Sequence, residues 1–125
     1  MIAVFNDRMT NQFGSRTDLN TFATTYSPST DVYWFVTSTG PAAADAVCVT
    51  YIGSTCDQER IRFNTNWAAT QTLNQKRQGA CHEIGHTVGF DDSQPEVNTG
   101  CMSGGGLGVL SAHEIGHINN LYFPY

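Results

Sequence analysis

The eleven residues from His82 to Asp92, His-Glu-Ile-Gly-His-Thr-Val-Gly-Phe-Asp-Asp, constrain the fold more than any other part of the chain. They overlap the end of a stretch of helical periodicity that runs from about Thr70 to Phe90. The apolar positions of that stretch include Leu73, Ala80, Ile84 and Val88. Gly89 lies near its end, where glycine favours a tight C-terminal turn. We therefore predict one long helix that ends as the chain reverses direction.

The two histidines of this segment are spaced as metal ligands on a helix. Residues four apart in an α-helix lie about 40° apart around the axis and about 6 Å along it, so the imidazoles of His82 and His86 can project to one point. Glu83 directly follows the first histidine, where a carboxylate can accept a proton from water that the metal activates. The pattern His-Glu-x-x-His therefore predicts a zinc site with Glu83 as general base.

A third protein ligand is needed, because a catalytic zinc ion usually takes three protein ligands and a water. Gly89 lets the chain leave the helix through a conformation that other residues adopt with difficulty, which would bring Asp92 back toward the metal as an oxygen ligand. Asp91 is adjacent and stays an alternative, although the motif spacing favours Asp92. The predicted ligand set is His82, His86 and Asp92.

The other apolar patterns predict a mixture of strands and helices. Short strands are expected at residues 2–5, 31–37, 46–52 and 60–64. The second of these strands has apolar side chains on both faces, as in a strand that is covered on two sides, and the last has one exposed face. A short helix is expected at residues 17–26. Ser111 is a good cap residue and begins a last helix that runs to about Leu121.

Length, composition and charge narrow the class of protein. A chain of 125 residues predicts one domain, 1–125, and its 40% apolar and 14% charged residues are typical of a globular protein. The net charge is −5 and the six basic residues are scattered, so we expect neither nucleic acid nor an anionic membrane as a partner. No apolar run approaches the roughly 20 residues of a spanning helix, and the first residues do not resemble a signal peptide, which we expect to have been removed.

A second constraint on the fold comes from four cysteines: Cys48, Cys56, Cys81 and Cys101. They include no Cys-x-x-Cys pair, which argues against a thiolate zinc finger or a thioredoxin-like motif. Three disulfide pairings exist in principle, but Cys48 with Cys56 would close a short hairpin-like loop and leave Cys81 to join Cys101. Two disulfides indicate an oxidising compartment, and four buried thiols in a cytosolic protein are the alternative.

The five residues His-Glu-Ile-Gly-His occur a second time, at 113–117. The residues that follow, from Ile118 to Phe123, supply neither a glycine nor an acidic or imidazole ligand at the needed positions. An apolar face is formed instead by Ile115, Ile118, Leu121 and Tyr122. We predict a C-terminal packing helix here, and a second, weaker metal site at His113, Glu114 and His117 is the alternative.

Segment 82–92 resembles the extended zinc signature of the metzincin metalloproteases. Most metzincins carry His at the eleventh position, whereas the snapalysin family of very small secreted bacterial neutral proteases carries Asp, which Asp92 matches. Metzincins also have a methionine-containing turn beneath the metal, and Cys101-Met102-Ser103-Gly104 lies at a similar distance downstream. The resemblance thus makes Met102 the turn methionine. No tyrosine follows two residues after Met102, so no tyrosine is assigned a role in stabilising the transition state.

The resemblance implies an α+β fold, with a small, mixed, mostly parallel twisted sheet, an active-site helix, and a C-terminal helix after the Met-turn. It implies a secreted zinc endopeptidase with one catalytic ion, which we expect to be a monomer. Protein or peptide substrates would lie extended along an edge strand, here residues 46–52, with a preference for large apolar side chains just after the cut. The alternatives are a non-catalytic zinc-binding module that keeps the fold, and a hydrolase acting on other substrates.

Overall fold

The computed structural model describes residues 1–92, 100–104 and 106–122. Over these residues the chain is α+β, with a three-stranded sheet and four α-helices. None of the described helices combines the length and the apolar character needed to cross a bilayer. The chain divides into two compact units: Ala23–Gln71 is one, and Met1–Phe22 with the described part of Thr72–Tyr125 is the other. The single domain inferred from length stays a prediction.

The unit Ala23–Gln71 contains a mixed sheet of β1 (Val32–Thr37), β2 (Ala44–Ile52) and β3 (Thr55–Asn64). β3 lies in the centre, parallel to β1 and antiparallel to β2. The three strands predicted for this part of the chain are confirmed, as is the mixed character of the sheet. Parallel pairing does not predominate among the described strands, because each kind of pairing occurs once.

β3 alternates between buried and half-buried positions from Arg60 onward, so the face predicted to be exposed is only partly so. Ile61 and Phe63 are fully buried. On the opposite face Arg62 donates from Nε to Asp45 Oδ1 (3.0 Å) and from Nη2 to Asp45 Oδ2 (2.6 Å). Asp45 lies directly across from Arg62 in the pairing of β2 with β3. This ion pair therefore reinforces the register that the buried residues set.

β1 is only partly covered on each face, which corrects the prediction that both of its faces are covered. Phe35 and Val36 point to opposite faces and are 40% and 41% exposed. In the described chain β1 pairs with β3 alone. A run of consecutive apolar residues therefore does not here indicate a strand with two covered faces.

The N-terminus is helical, which corrects the strand predicted at residues 2–5. α1 (Ile2–Arg8) continues into a π-helical segment, Met9–Gly14. The buried face of this stretch consists of Phe5, Arg8, Gln12 and Phe13. Arg8 donates to the Gly108 carbonyl, and Gln12 accepts from the Leu110 amide. Two of the four buried positions are thus polar, and their hydrogen-bond partners lie far along the chain, so an apolar pattern does not reveal this helix.

The helix predicted at residues 17–26 is also wrong, since no regular element forms there. The Thr17 hydroxyl donates to the Phe13 carbonyl and accepts from the Leu19 amide. Such local bonds between a hydroxyl and the backbone compete with helical hydrogen bonding. The chain therefore leaves the helical path at Thr17.

Two further helices carry the motifs. After α2 (Thr65–Thr70), α3 (Leu73–Thr87) begins with a capping box between Thr72 and Gln75. α4 (Ala112–Tyr122) begins after Ser111, whose hydroxyl accepts from the Glu114 amide at 3.1 Å. Both helices confirm the predictions made from periodicity and capping.

Both predicted disulfides are confirmed. Cys48–Cys56 crosses the β2–β3 hairpin. Cys81–Cys101 joins α3 to a short 3₁₀ turn, Gly100–Met102, which we call the Met102 turn. The second bridge connects the residue before His82 to the residue before Met102, and so it ties the two motifs together covalently.

Candidate metal centre

His82 and His86 lie one turn apart on α3, and their imidazoles converge. The two Nε2 atoms are 3.1 Å apart. The side chains are 25% and 20% exposed, so each ring is largely enclosed but reaches the surface. This is the arrangement that the four-residue spacing predicts for two ligands on one helix.

The end of α3 returns the chain to these rings. Gly89 has φ +96°, a conformation that glycine adopts at little cost, and the Phe90 amide donates to the Gly85 carbonyl at 3.1 Å. Beyond this turn Asp92 Oδ1 lies 3.0 Å from His82 Nε2 and 3.5 Å from His86 Nε2. The structure therefore brings Asp92 to the two histidines, as the position of the glycine predicts.

Among the described residues, the group with the geometry of a metal site is His82, His86 and Asp92. Ligands about 2.0–2.1 Å from a tetrahedral zinc ion are about 3.3 Å from one another. The three separations here, 3.0, 3.1 and 3.5 Å, are close to that value. Two imidazole nitrogens and one carboxylate oxygen are also a donor set that catalytic zinc takes. The residues present thus fit a zinc ion, and Asp92 is the carboxylate of the group.

Hydrogen bonds to the backbone help to orient the two rings. His86 Nδ1 lies 2.9 Å from the Phe90 carbonyl oxygen. Because a carbonyl only accepts, Nδ1 carries the proton and the Nε2 lone pair faces Asp92 and His82. His82 in turn makes a hydrogen bond with the backbone of Cys101. Both rings are therefore held in place by backbone groups.

Burial lowers the pKa of His82, and the neighbouring His86 lowers it further, while Asp92 and the bond to the Cys101 backbone oppose this change. A lowered pKa keeps the imidazole neutral near pH 7. The neutral ring is the form that can coordinate a metal. The electrostatics of His82 thus agree with the role of a ligand.

Glu83 follows His82 on the same helix and is only 7% exposed. This glutamate is therefore largely shielded from bulk water. A carboxylate in this sequence position is suited to exchange protons with a water near the metal rather than to bind the metal itself.

Met102 packs beneath this part of α3. It is 3% exposed, and a Cβ added to Gly85 would lie 2.5 Å from its Sδ. Gly85 is the residue just before His86, so the methionine sulfur occupies space that the missing side chain leaves open. This places the predicted turn methionine against the helix between the two histidines.

The second His-Glu-Ile-Gly-His copy is arranged differently. His113 is exposed, and the His117 ring packs on Phe90 with 5.6 Å between centroids. Ile118 is fully buried, in agreement with a packing helix. No described group of three metal-ligating side chains includes this copy.

Sequence reasoning missed two polar residues near the Met102 turn. Glu114 is fully buried and accepts from the Cys101 and Met102 amides. Gln78, on α3, donates to the Gly100, Cys101 and Ser103 carbonyls. A capping-box pattern, Ser111-Ala-His-Glu114, was a sequence signal for the first of these residues. We find no comparable signal for Gln78.

Comparison of the chain with protein-family models, curated proteins and solved structures gives no match.

Proposed function

We propose that this chain is a zinc-dependent endopeptidase, with His82, His86 and Asp92 as ligands and Glu83 as general base. The observation that carries the proposal is the convergence of three ligand atoms, 3.0 to 3.5 Å apart. Glu83, the carboxylate residue that directly follows His82, is buried. A binding site alone does not need that carboxylate. The resemblance of segment 82–92 to the metzincin signature supports the same reaction class.

Zinc, when bound, supplies the Lewis acidity that polarises a peptide carbonyl and lowers the pKa of water to about 7. Glu83 takes the proton from the attacking water and delivers it to the leaving amine. The Phe90 carbonyl keeps the proton of His86 on Nδ1, so Nε2 stays available as a ligand atom. Asp92, whose side chain is 71% exposed, lies on the solvent side of the cluster, where substrate can approach.

Protein or peptide substrates follow from the same resemblance. An extended peptide can gain main-chain hydrogen bonds by adding to the edge of a sheet. β2 has β3 as its one neighbour among the described strands and so offers such an edge. The two disulfides support secretion, because they persist in oxidising compartments.

The proposal is tested by metal analysis and by hydrolysis of casein, with Glu83→Gln as the decisive variant. Glutamine keeps the size of the side chain but cannot accept the proton, so we expect zinc content to be unchanged and kcat/KM to fall by at least about 100-fold. A chelator should abolish the wild-type activity, and added zinc should restore it. Activity that survives both the chelator and the substitution would overturn the mechanism.

The repeated motif provides a matched control for the ligands. His82→Ala should remove zinc and activity together, whereas His113→Ala, at the equivalent position of the second copy, should leave both unchanged. A wild-type protein that binds zinc but cleaves neither casein nor other peptides would favour the non-catalytic zinc-binding module.

A further inference from the structure

Glu114, the acidic residue of the second copy, is a buried carboxylate with an unusual set of partners. It is fully buried. Its Oε1 accepts from the Met102 amide at 2.9 Å, and its Oε2 accepts from the Cys101 amide at 3.1 Å and the Ser111 amide at 2.8 Å. A buried carboxylate is costly unless such donors satisfy it, and here three backbone amides do so.

The bond to Ser111 is that of an ordinary capping box, with Ser111 Oγ accepting from the Glu114 amide in return. A capping box needs nothing more. The bonds to Cys101 and Met102 cross 13 and 12 residues of sequence and have no part in starting α4. They instead fix the orientation of the two peptide groups that enter the Met102 turn.

The turn is shaped to receive this carboxylate. Gly100 has φ +49°, and a Cβ there would overlap Glu114 Oε2. From the side of α3, Gln78 Nε2 donates to the Cys101 carbonyl at 2.8 Å and the Ser103 carbonyl at 2.6 Å. The amides of the turn are thus held by α4 and its carbonyls by the metal-binding helix.

The turn touches the candidate metal centre at two points. The Met102 sulfur fills the space next to Gly85 that a side chain there would occupy. The Cys101 backbone makes a hydrogen bond with the ring of His82. A displacement of the turn would therefore change the packing under α3 and the orientation of one ligand ring.

We infer that Glu114 is a positioning residue for the zinc site, acting through the Met102 turn on His82 and on the helix that carries both histidines. This inference rests on the proposed zinc site. The second His-Glu-Ile-Gly-His copy then contributes its glutamate to the first copy's metal centre rather than forming a centre of its own.

The test compares Glu114→Gln with Ser111→Ala in the full chain. Glutamine replaces one acceptor oxygen by an amide group that faces N–H donors, so it weakens the hold on the turn. Ser111→Ala removes the capping hydroxyl but leaves the Glu114 carboxylate intact, and it therefore controls for loss of helix stability alone. Zinc affinity is measured by competition with a chromophoric chelator, and the ligand field by the visible spectrum of the Co²⁺-loaded protein.

Glu114→Gln should weaken zinc binding by about 10-fold and shift the Co²⁺ spectrum. It should also lower kcat, with a smaller change in KM. Ser111→Ala should lower the unfolding midpoint while zinc affinity and the Co²⁺ spectrum stay at wild-type values. A Glu114→Gln protein that is less stable but has the wild-type zinc affinity and spectrum would show a purely structural role and overturn the inference.

If Glu114→Gln does not fold, Glu114→Asp serves as the second variant, because it keeps the charge and shortens the reach. It should weaken zinc binding less than 10-fold but measurably, and wild-type affinity would again overturn the inference. A wild-type chain that binds neither Zn²⁺ nor Co²⁺ is a different result, which overturns the proposed metal site and, with it, the role given to Glu114.

Discussion

Replacing Gly85 by alanine should not stabilise the protein, although alanine is the better helix former. Gly85 lies inside α3, where alanine is favoured over glycine by about 1 kcal/mol. The added Cβ would lie 2.5 Å from Met102 Sδ and 3.3 Å from Phe90 Cδ2. Both neighbours are 3% exposed, so neither can move aside into solvent. The steric cost therefore opposes the gain in helix propensity.

The same substitution in the second copy gives the reference. Gly116 occupies the matching position in α4, is exposed, and has nothing within 4 Å of an added Cβ. Gly116→Ala should therefore stabilise the protein by about 1 kcal/mol. Overpacking a buried site costs about 1–3 kcal/mol, so Gly85→Ala should range from nearly neutral to about 2 kcal/mol destabilising. The two variants should differ by about 1–3 kcal/mol, with Gly116→Ala the more stable.

Equilibrium unfolding in urea measures both free energies under identical conditions, first without zinc and then with it. Gly85→Ala should also weaken zinc binding, because Phe90 supplies the carbonyl that orients His86. Equal stabilisation by both alanines would refute the packing of Met102 against Gly85. Normal zinc affinity in a destabilised Gly85→Ala protein would show that the packing of Met102 against Gly85 does not affect the metal site.

Two further predictions concern covalent and electrostatic contributions. Replacing Cys81 and Cys101 together by serine should lower the free energy of unfolding by about 3 kcal/mol, because their bridge spans 20 residues. Thermal or urea unfolding would show this, and a loss no larger than that from opening the 8-residue hairpin bridge would contradict it. The hydrogen bonds from Arg62 lower the pKa of the Asp45 carboxyl below its unfolded value near 3.9. The pair's contribution is thus complete above about pH 5 and is lost as pH falls through the folded pKa. Asp45→Asn should cause a small loss of stability at pH 7, and its unfolding midpoint should approach the wild-type midpoint as pH falls below the folded pKa of Asp45. A difference between the two midpoints that does not shrink as pH falls from 7 would exclude this ion pair as its cause.

The elements that local sequence specifies were predicted well. The spacing of His82 and His86 places both imidazoles on one side of α3 as soon as the helix forms, and Gly89 permits the reversal that brings Asp92 to them. β1 follows from its run of apolar residues, β3 and the β2–β3 hairpin follow from alternation and turn residues, and Ser111 marks the start of α4. These features depend on neighbours a few residues apart, which a sequence displays directly.

Contacts that are distant in sequence could not be predicted in this way. Nothing near Arg8 or Gln12 indicates that they are buried, because the backbone groups that satisfy them are 100 and 98 residues away. The exposure of Phe35 and Val36 likewise depends on which segments pack on the two faces of β1, and the composition of the strand does not specify this.

The two identical pentapeptides show which features the local sequence determines and which depend on tertiary packing. Both form helices and place their histidines on one side, as the shared sequence requires. In the first copy the imidazole centroids are 4.7 Å apart and face Asp92, whereas in the second they are 6.5 Å apart and the glutamate is buried against the Met102 turn. Periodicity alone sets the helical geometry, but the surroundings of each side chain depend on which distant segments pack against that helix, and this is decided only when the chain folds.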